Sequence, residues 1–392
     1  MKKIVIENIK KNLLSQIVCE IVIENKSEEI HIEANQEYAN YLVIDRIDAI
    51  VWGLLLFCIN KGYNIESKIP ITEDLWYNLE MNFIDILAQN PGMHRIKINA
   101  PLIPAMKQGN IVATGISCGI DSLYTIATHS DSVPKPYRIT HLCFFDAGSH
   151  DTGLTDNSSF HLFKGRYDLC KAFAEEYNYG FIFIKNDIHE IIKNYGGYSH
   201  IENHTYMALS CIYALQPAFS KYYYSSGVSI RDFSCKKNNV NNQLDAAHYD
   251  LLTLSTASIP NIKFISTGGN VNRIQKTQII SNYAPAYKYL NVCVRSVEND
   301  STCFKCIRTI LTLDALGKID KFKNVFNTEY YKIHKKEYIE KMYIEGKWKH
   351  DESLYILFPL FKSELTLDLK ISALIHKFQT AFISKLFKQK KS

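Results

Sequence analysis

Ala113-Thr114-Gly115-Ile116-Ser117-Cys118-Gly119-Ile120-Asp121-Ser122-Leu123-Tyr124-Thr125 is the stretch on which the reading of this 392-residue chain turns. It sets an apolar strand, a turn of small and hydroxylated residues, and a helix start in that order. The N–H groups of such a turn and of the first helical residues have no internal partners, and the helix dipole adds partial positive charge. The arrangement is that of a phosphate cradle. Ser117 and Ser122 carry hydroxyls that can donate to phosphate oxygens, and Gly119 lets the backbone approach closely. Asp121 cannot favourably face a polyphosphate directly, a conflict that Mg²⁺ bridging carboxylate and phosphate oxygens resolves. The competing reading is an ordinary helix cap built from Ser and Asp. Neither a GxxxxGK[ST] loop nor a dinucleotide fingerprint occurs in the chain.

Outward from this stretch the texture is a strand-and-helix alternation. Strands are predicted at Asn110 to Ile116, Ile139 to Phe145, Gly180 to Ile184, Tyr222 to Ser226 and Ile262 to Thr267. Helices are predicted at Ser122 to Thr128, Phe160 to Tyr177, Thr205 to Phe219 and Gln275 to Tyr283. Short, continuously apolar strands alternating with helices argue for an α/β fold whose parallel sheet has helices on both faces. Ligands of such sheets sit outside the carboxyl ends of the strands. Before it, residues 1–104 read as a small α+β unit. It comprises a hairpin of Val18 to Ile23 and Glu29 to Glu33 around Asn25-Lys26-Ser27, with Ile4 to Ile6 alongside. Helices near Asp45 to Asn60 and Glu73 to Gln89 and a short strand at His94 to Asn99 complete it. The prolines at 101 and 104 mark its end. Residues 105–318 form the central domain and 319–392 a helical tail with basic surfaces, ending in Lys388-Gln389-Lys390-Lys391. The stretch from Ser226 to Pro260 reads as an active-site loop or irregular insertion.

Ser117-Cys118-Gly119-Ile120-Asp121-Ser122 resembles the SGGxDS loop of the PP-loop ATP pyrophosphatases, a HUP-type superfamily that includes 7-cyano-7-deazaguanine synthase, asparagine synthetase and tRNA-thiolating enzymes. The resemblance implies that these six residues hold ATP with Mg²⁺. It also implies that ATP is cleaved between the α and β phosphates and that an acid or amide of the substrate is adenylated. Cys118 stands where the family has its first glycine, so the backbone there is expected to avoid positive φ or the loop to be altered. Asp146 ends the second strand, where this architecture brings it near the ribose or adenine edge; the alternative is a turn-forming Asp before Gly148. The family's basic pair, which reaches the phosphates, corresponds to Arg273 and Lys276 in Asn272-Arg273-Ile274-Gln275-Lys276-Thr277. Cationic clamps suit both a pentavalent α-phosphorus and a departing pyrophosphate. His248, Tyr249, Asp250, Ser255 and Thr256 are candidates to line an acceptor pocket.

Cys293, Cys303 and Cys306 form C-x9-C-x2-C, and thiolates so spaced at a turn before a helix suit tetrahedral zinc. The resemblance extends here, since 7-cyano-7-deazaguanine synthase carries a structural zinc on one distant Cys and a C-x2-C-x2-C run. Alignment puts Asp300 where the remaining cysteine belongs. Asp300, a histidine from elsewhere, or no metal at all stay open as the fourth position. CFKCIRTILTLDALG is also similar to a C-terminal signature of bacterial PP-loop proteins of unsettled role, so the resemblance spans about residues 109 to 317.

Composition bounds the rest. Forty-five Lys and Arg against forty Asp and Glu leave +5, too slight an excess to imply nucleic-acid binding by itself. The alternating N-terminus reads as a strand rather than a signal peptide, and the longest apolar run, Ile50 to Ile59, is about half a bilayer span. Ten mostly isolated cysteines suggest a reducing cytoplasm. The leading expectation is an ATP-dependent, AMP-forming ligase acting on a small-molecule or modified-base acceptor. A tRNA or small-molecule sulfurtransferase and a non-catalytic nucleotide-binding module in a defence or biosynthetic system are the alternatives. The N-terminal unit is the candidate protein-docking surface, and a homodimer is left open.

Overall fold

Apolar residues at every second position build the first three strands, β1 (Lys3–Leu13), β2 (Gln16–Ile23) and β3 (Lys26–Ala34). Ile4 and Ile6, Ile17 to Ile23 at odd numbers, and Ile30 to Ala34 at even numbers are all buried. The β2–β3 turn falls on Glu24-Asn25, whose φ values of 51° and 64° fit a two-residue hairpin loop, rather than on the predicted Asn25-Lys26-Ser27. The computed structural model describes residues 2–149, 156–238, 241–348, 352–375 and 377. The expected basic end at Lys388 to Lys391 lies outside the described residues.

The remaining strands are β4 (Asn64–Ser67), β5 (Ile71–Thr72), β6 (Ile98–Asn99), β7 (Leu102–Ile103), β8 (Ile111–Gly115), β9 (His141–Asp146), β10 (Gly180–Asn186), β11 (Phe219–Ser225) and β12 (Lys263–Thr267). Ten of the strands form one mostly parallel sheet in the order β12-β11-β8-β9-β10-β3-β2-β1-β4-β6. The chain is thus mixed α/β. The five predicted central strands are parallel neighbours. The N-terminal strands continue the same sheet, because β3 pairs antiparallel with β10 through Ala34 and Ile184. No seam in the sheet falls at residue 104.

Helices α1 (Asp48–Lys61), α2 (Glu73–Asn78), α3 (Ile84–Ala88), α4 (Ile120–Thr128), α5 (Asp156–Glu176), α6 (Ile188–Asn194), α7 (His200–Ala214), α8 (Asp250–Ala257), α9 (Arg273–Ile280), α10 (Ala286–Tyr289), α11 (Phe304–Ala315) and α12 (Thr328–Trp348) complete the frame. Helix α1 is buried on every side from Asp48 to Ile59, as its unbroken apolar run dictates. Helix α8 lies within the stretch expected to be irregular. Contacts divide the chain into two compact units: residues to Ser117 together with Thr128–Asn272, and Cys118–Ala127 together with the residues from Arg273 onward. The whole sheet belongs to the first. Among the described residues no helix is long and apolar enough to cross a membrane. All ten cysteines are free thiols, and only Cys235 is not fully buried.

Candidate functional site

Strand β8 runs buried from Ile111 to Thr114, and Ile116 N continues its pairing by donating to Cys143 O at 2.9 Å. Because β9 and β11 flank β8, its carboxyl end is a topological switch point of the sheet. Ser117 is exposed there and Gly119 half-buried. Helix α4 then opens with Leu123 N donating to Gly119 O at 3.0 Å, while Ile120, Leu123, Tyr124 and Ile126 bury its apolar side. Ser122, expected to face phosphate, is buried, and its Oγ donates to Gly119 O at 3.2 Å.

The expectation for Cys118 is corrected. Its φ is +55°, so the cysteine adopts the left-handed conformation of the glycine it replaces. Two features hold it there: the side chain is fully buried, and its carbonyl accepts Asn291 N at 2.8 Å. That conformation costs an L-residue about 1–2 kcal/mol. Cys118→Gly is therefore expected to be about 1 kcal/mol more stable than Cys118→Ala in urea unfolding, since alanine keeps the backbone strain and both lose the thiol.

Asp121, in the first turn of α4, receives two cations from α9. Arg273 Nη2 lies 2.9 Å from Oδ2 and Lys276 Nζ 2.8 Å from Oδ1. One turn separates Arg273 from Lys276, so both project from the same helical face. Lys276 is buried, its Nζ 5.9 Å from the Tyr124 ring centroid. Burial pushes the Asp121 carboxyl up, but the charges of Arg273 and Lys276 outweigh it and hold the group below its ordinary value. Two cations converge on one carboxylate beside an N-terminal helix turn, a concentration of positive potential that favours an anion.

Asp146 ends β9 in register with Lys185 of β10. Burial raises its carboxyl, against the charges of Lys185 and His189. The next turn is tight: Gly148 has φ +86°, and a Cβ there would stand 2.2 Å from the Tyr198 hydroxyl. Of the acceptor candidates, His248 and Asp250 line a cavity of about 220 Å³. Tyr249 is fully buried with its hydroxyl 3.1 Å from that of Tyr206, and Ser255 and Thr256 lie along α8 outside the cavity wall.

Cys293, Asp300, Cys303 and Cys306 converge so that their ligand atoms all lie within 4.8 Å of one another. Tetrahedral zinc about 2.3 Å from each sulfur sets sulfurs roughly 3.8 Å apart, so this spacing is near a zinc site. The turn that gathers them is built by three features. Ser301 takes φ +59°, Asp300 Oδ1 accepts Thr302 N and Cys303 N at 2.8 Å each, and Cys303 Sγ caps α11 by accepting Cys306 N at 3.4 Å. Asn299, which the sequence reading missed, ties the loop down: its Oδ1 accepts Val292 N at 2.8 Å and its Nδ2 donates to Val325 O at 3.0 Å. Burial raises the Cys293 thiol, but the Ser296 hydroxyl and backbone N–H groups outweigh it and bring it below its usual value. Burial and the neighbouring Cys303 push Cys306 well up. A cluster of this donor set could hold a metal ion such as zinc. Helix α11, which carries Cys306, packs on α9, which carries Arg273 and Lys276.

No family model matches this chain, and no curated protein or solved structure does either.

Proposed function

We propose that the chain is an ATP-dependent, AMP-forming ligase of the PP-loop type that adenylates a carboxylate or amide oxygen of its acceptor and releases pyrophosphate. The observation that carries this reading is Asp121 held between Arg273 and Lys276, at 2.9 and 2.8 Å, at the first turn of a helix entered from the switch-point strand. Three residues picked out as one phosphate site, two of them more than 150 positions from the third, meet at hydrogen-bond distance.

In this mechanism the acceptor oxygen forms a bond to the α-phosphorus as the bond to the β-bridging oxygen breaks, and the electron pair leaves with pyrophosphate. A nitrogen nucleophile then displaces AMP. Arg273 and Lys276 stabilise charge growing on the leaving group, and the amides of the Ser117–Ser122 turn orient it. Magnesium would supply further neutralisation with ATP bound. Asp121 would be the carboxylate to hold it, giving up its contacts with Arg273 and Lys276, which would turn to the phosphates. Zinc on Cys293, Asp300, Cys303 and Cys306 would be four-coordinate and closed, and so structural.

Cys118 supports an intact cradle over the non-catalytic alternative, because it keeps the glycine-like turn. The clustering of Cys303 and Cys306 with Cys293 and Asp300 disfavours that pair as persulfide carriers. Incubation with ATP and candidate acids is expected to yield AMP and pyrophosphate. Turnover giving ADP and phosphate instead contradicts the mechanism.

A further inference from the structure

Asp250 is a buried carboxylate with one oxygen left unpartnered among the described residues. The residue is 4% exposed and its Oδ2 has no hydrogen-bond partner among the described residues, while the rest of the carboxyl group is served by the Ser266 hydroxyl at a long 3.4 Å, the Ser226 hydroxyl and the Leu251 N–H. Among the described residues it forms no ion pair. Asp48, the comparable buried acid of the same unit, shows what a purely structural carboxylate looks like here. Its Oδ1 accepts Thr72 N at 2.9 Å, and its Oδ2 accepts Thr72 Oγ1 at 2.5 Å and Gln216 Nε2 at 3.0 Å. Buried polar atoms are nearly always satisfied, and an orphan carboxylate oxygen is expensive to keep.

Asp250 forms part of the wall of the 220 Å³ cavity. That cavity opens beyond the carboxyl ends of two adjacent parallel strands, with Ser226 following β11 and Gly269 following β12. This is where open parallel sheets hold their ligands. Its remaining wall is mixed: Ser229, His248 and Asn270 are polar, whereas Ile230 and Phe233 offer apolar surface and are 54% and 47% exposed. A 150 Å³ protein cavity accommodates benzene, so this one holds a molecule of about nine or ten non-hydrogen atoms.

We propose that this cavity binds a small organic cation, whose charged N–H group takes Asp250 as its partner while its apolar body lies against Ile230 and Phe233. A carboxylate with an unpartnered oxygen selects an opposite charge that brings its own hydrogen-bond donor, and discriminates against a neutral or anionic analogue of the same shape. Burial raises the Asp250 carboxyl, against the Ser226 and Ser266 hydroxyls and the charge of His204, and a cation beside it would favour the ionised form. The inference rests on the ligase reading only for the ligand's role as second substrate. Binding itself needs neither ATP nor the Ser117–Ser122 turn.

The test is calorimetric titration of the full chain, without nucleotide, using benzamidine, benzamide and benzoate as probes of one shape and three charges. Benzamidine is expected to bind with a dissociation constant on the order of 1 mM. Benzamide should bind at least tenfold more weakly and benzoate not measurably. Asp250→Asn should weaken benzamidine at least tenfold. Gly269→Leu gives an independent readout if that variant folds poorly. Position 269 has ordinary φ and no heavy atom within 3.8 Å of a new Cβ, so the leucine should fill the cavity and abolish binding with the melting temperature retained. Equal binding of benzamide and benzamidine, unchanged affinity in Asp250→Asn, or no binding of benzamidine at 10 mM overturns the proposal. A parallel pyrophosphate titration reports on the phosphate site alone, so the two readings fail separately.

Discussion

Lys276→Met is expected to lower pyrophosphate release from ATP by about a hundredfold to a thousandfold, the usual effect of removing one donor from developing transition-state charge. Methionine preserves most of the buried stem and removes only the ammonium that sits 2.8 Å from Asp121. Stability should fall too, by about 1–3 kcal/mol, because the carboxylate keeps Arg273 as its sole counter-charge. The two effects are separable. If the triad merely pins α9 to α4, the variant melts earlier yet binds pyrophosphate with unchanged affinity; as a phosphate clamp, it loses at least tenfold in that affinity. The pH dependence carries a sign as well. Asp121 is held below its ordinary value, so its contribution to stability is full above the unfolded-chain value of about 3.9 and is lost as pH falls through the folded value. With one cation removed that depression shrinks, and acid unfolding of Lys276→Met should begin at higher pH than in the wild type.

The second large effect concerns the thiol cluster. The purified chain is expected to contain one zinc per molecule by elemental analysis, and Cys303→Ser with Cys306→Ser should abolish it. Structural zinc in small domains contributes about 10–16 kcal/mol of apparent binding free energy at neutral pH. Here the ordering of the Cys293–Cys306 loop depends on it only in part, since Asn299 and the Asp300 turn also hold the backbone. A loss of about 5 kcal/mol, or roughly 6 °C in melting temperature for a chain of this length, is the expected result. Because α11 packs on α9, pyrophosphate affinity should drop with the metal. Zinc loss without any change in melting temperature would show the cluster to be adventitious, and a chain without metal that is equally stable would show it to be packing alone.

Much of the central architecture was legible because its signals are local. The strands β8 to β12 are short apolar runs, and the turn after β8 declares itself through small residues at a strand-to-helix junction. The meeting of Asp121 with Arg273 and Lys276 has no local signal; the family resemblance directs the two cations to phosphate and says nothing of their pairing with Asp121. Other features lay beyond a local reading. The union of β3 with β10 joins segments about 150 residues apart by an edge pairing that neither strand's pattern specifies. Helix α8 was hidden because Leu251, Leu252 and Leu254 sit among Thr and Ser, without a clean helical period. The backbone of Cys118 defied its residue type because burial and the Asn291 hydrogen bond over-determine it. The unpartnered oxygen of Asp250 is a property of three-dimensional surroundings alone.

The most direct measurement is a titration of magnesium pyrophosphate into protein labelled with ¹⁵N at glycine, serine and cysteine, following the amide resonances of Ser117, Cys118, Gly119 and Ser122. Saturable shifts at these amides, lost in Lys276→Met, are what a pyrophosphate-gripping turn produces. Resonances that stay fixed through millimolar pyrophosphate, in a protein that remains folded, would contradict the account.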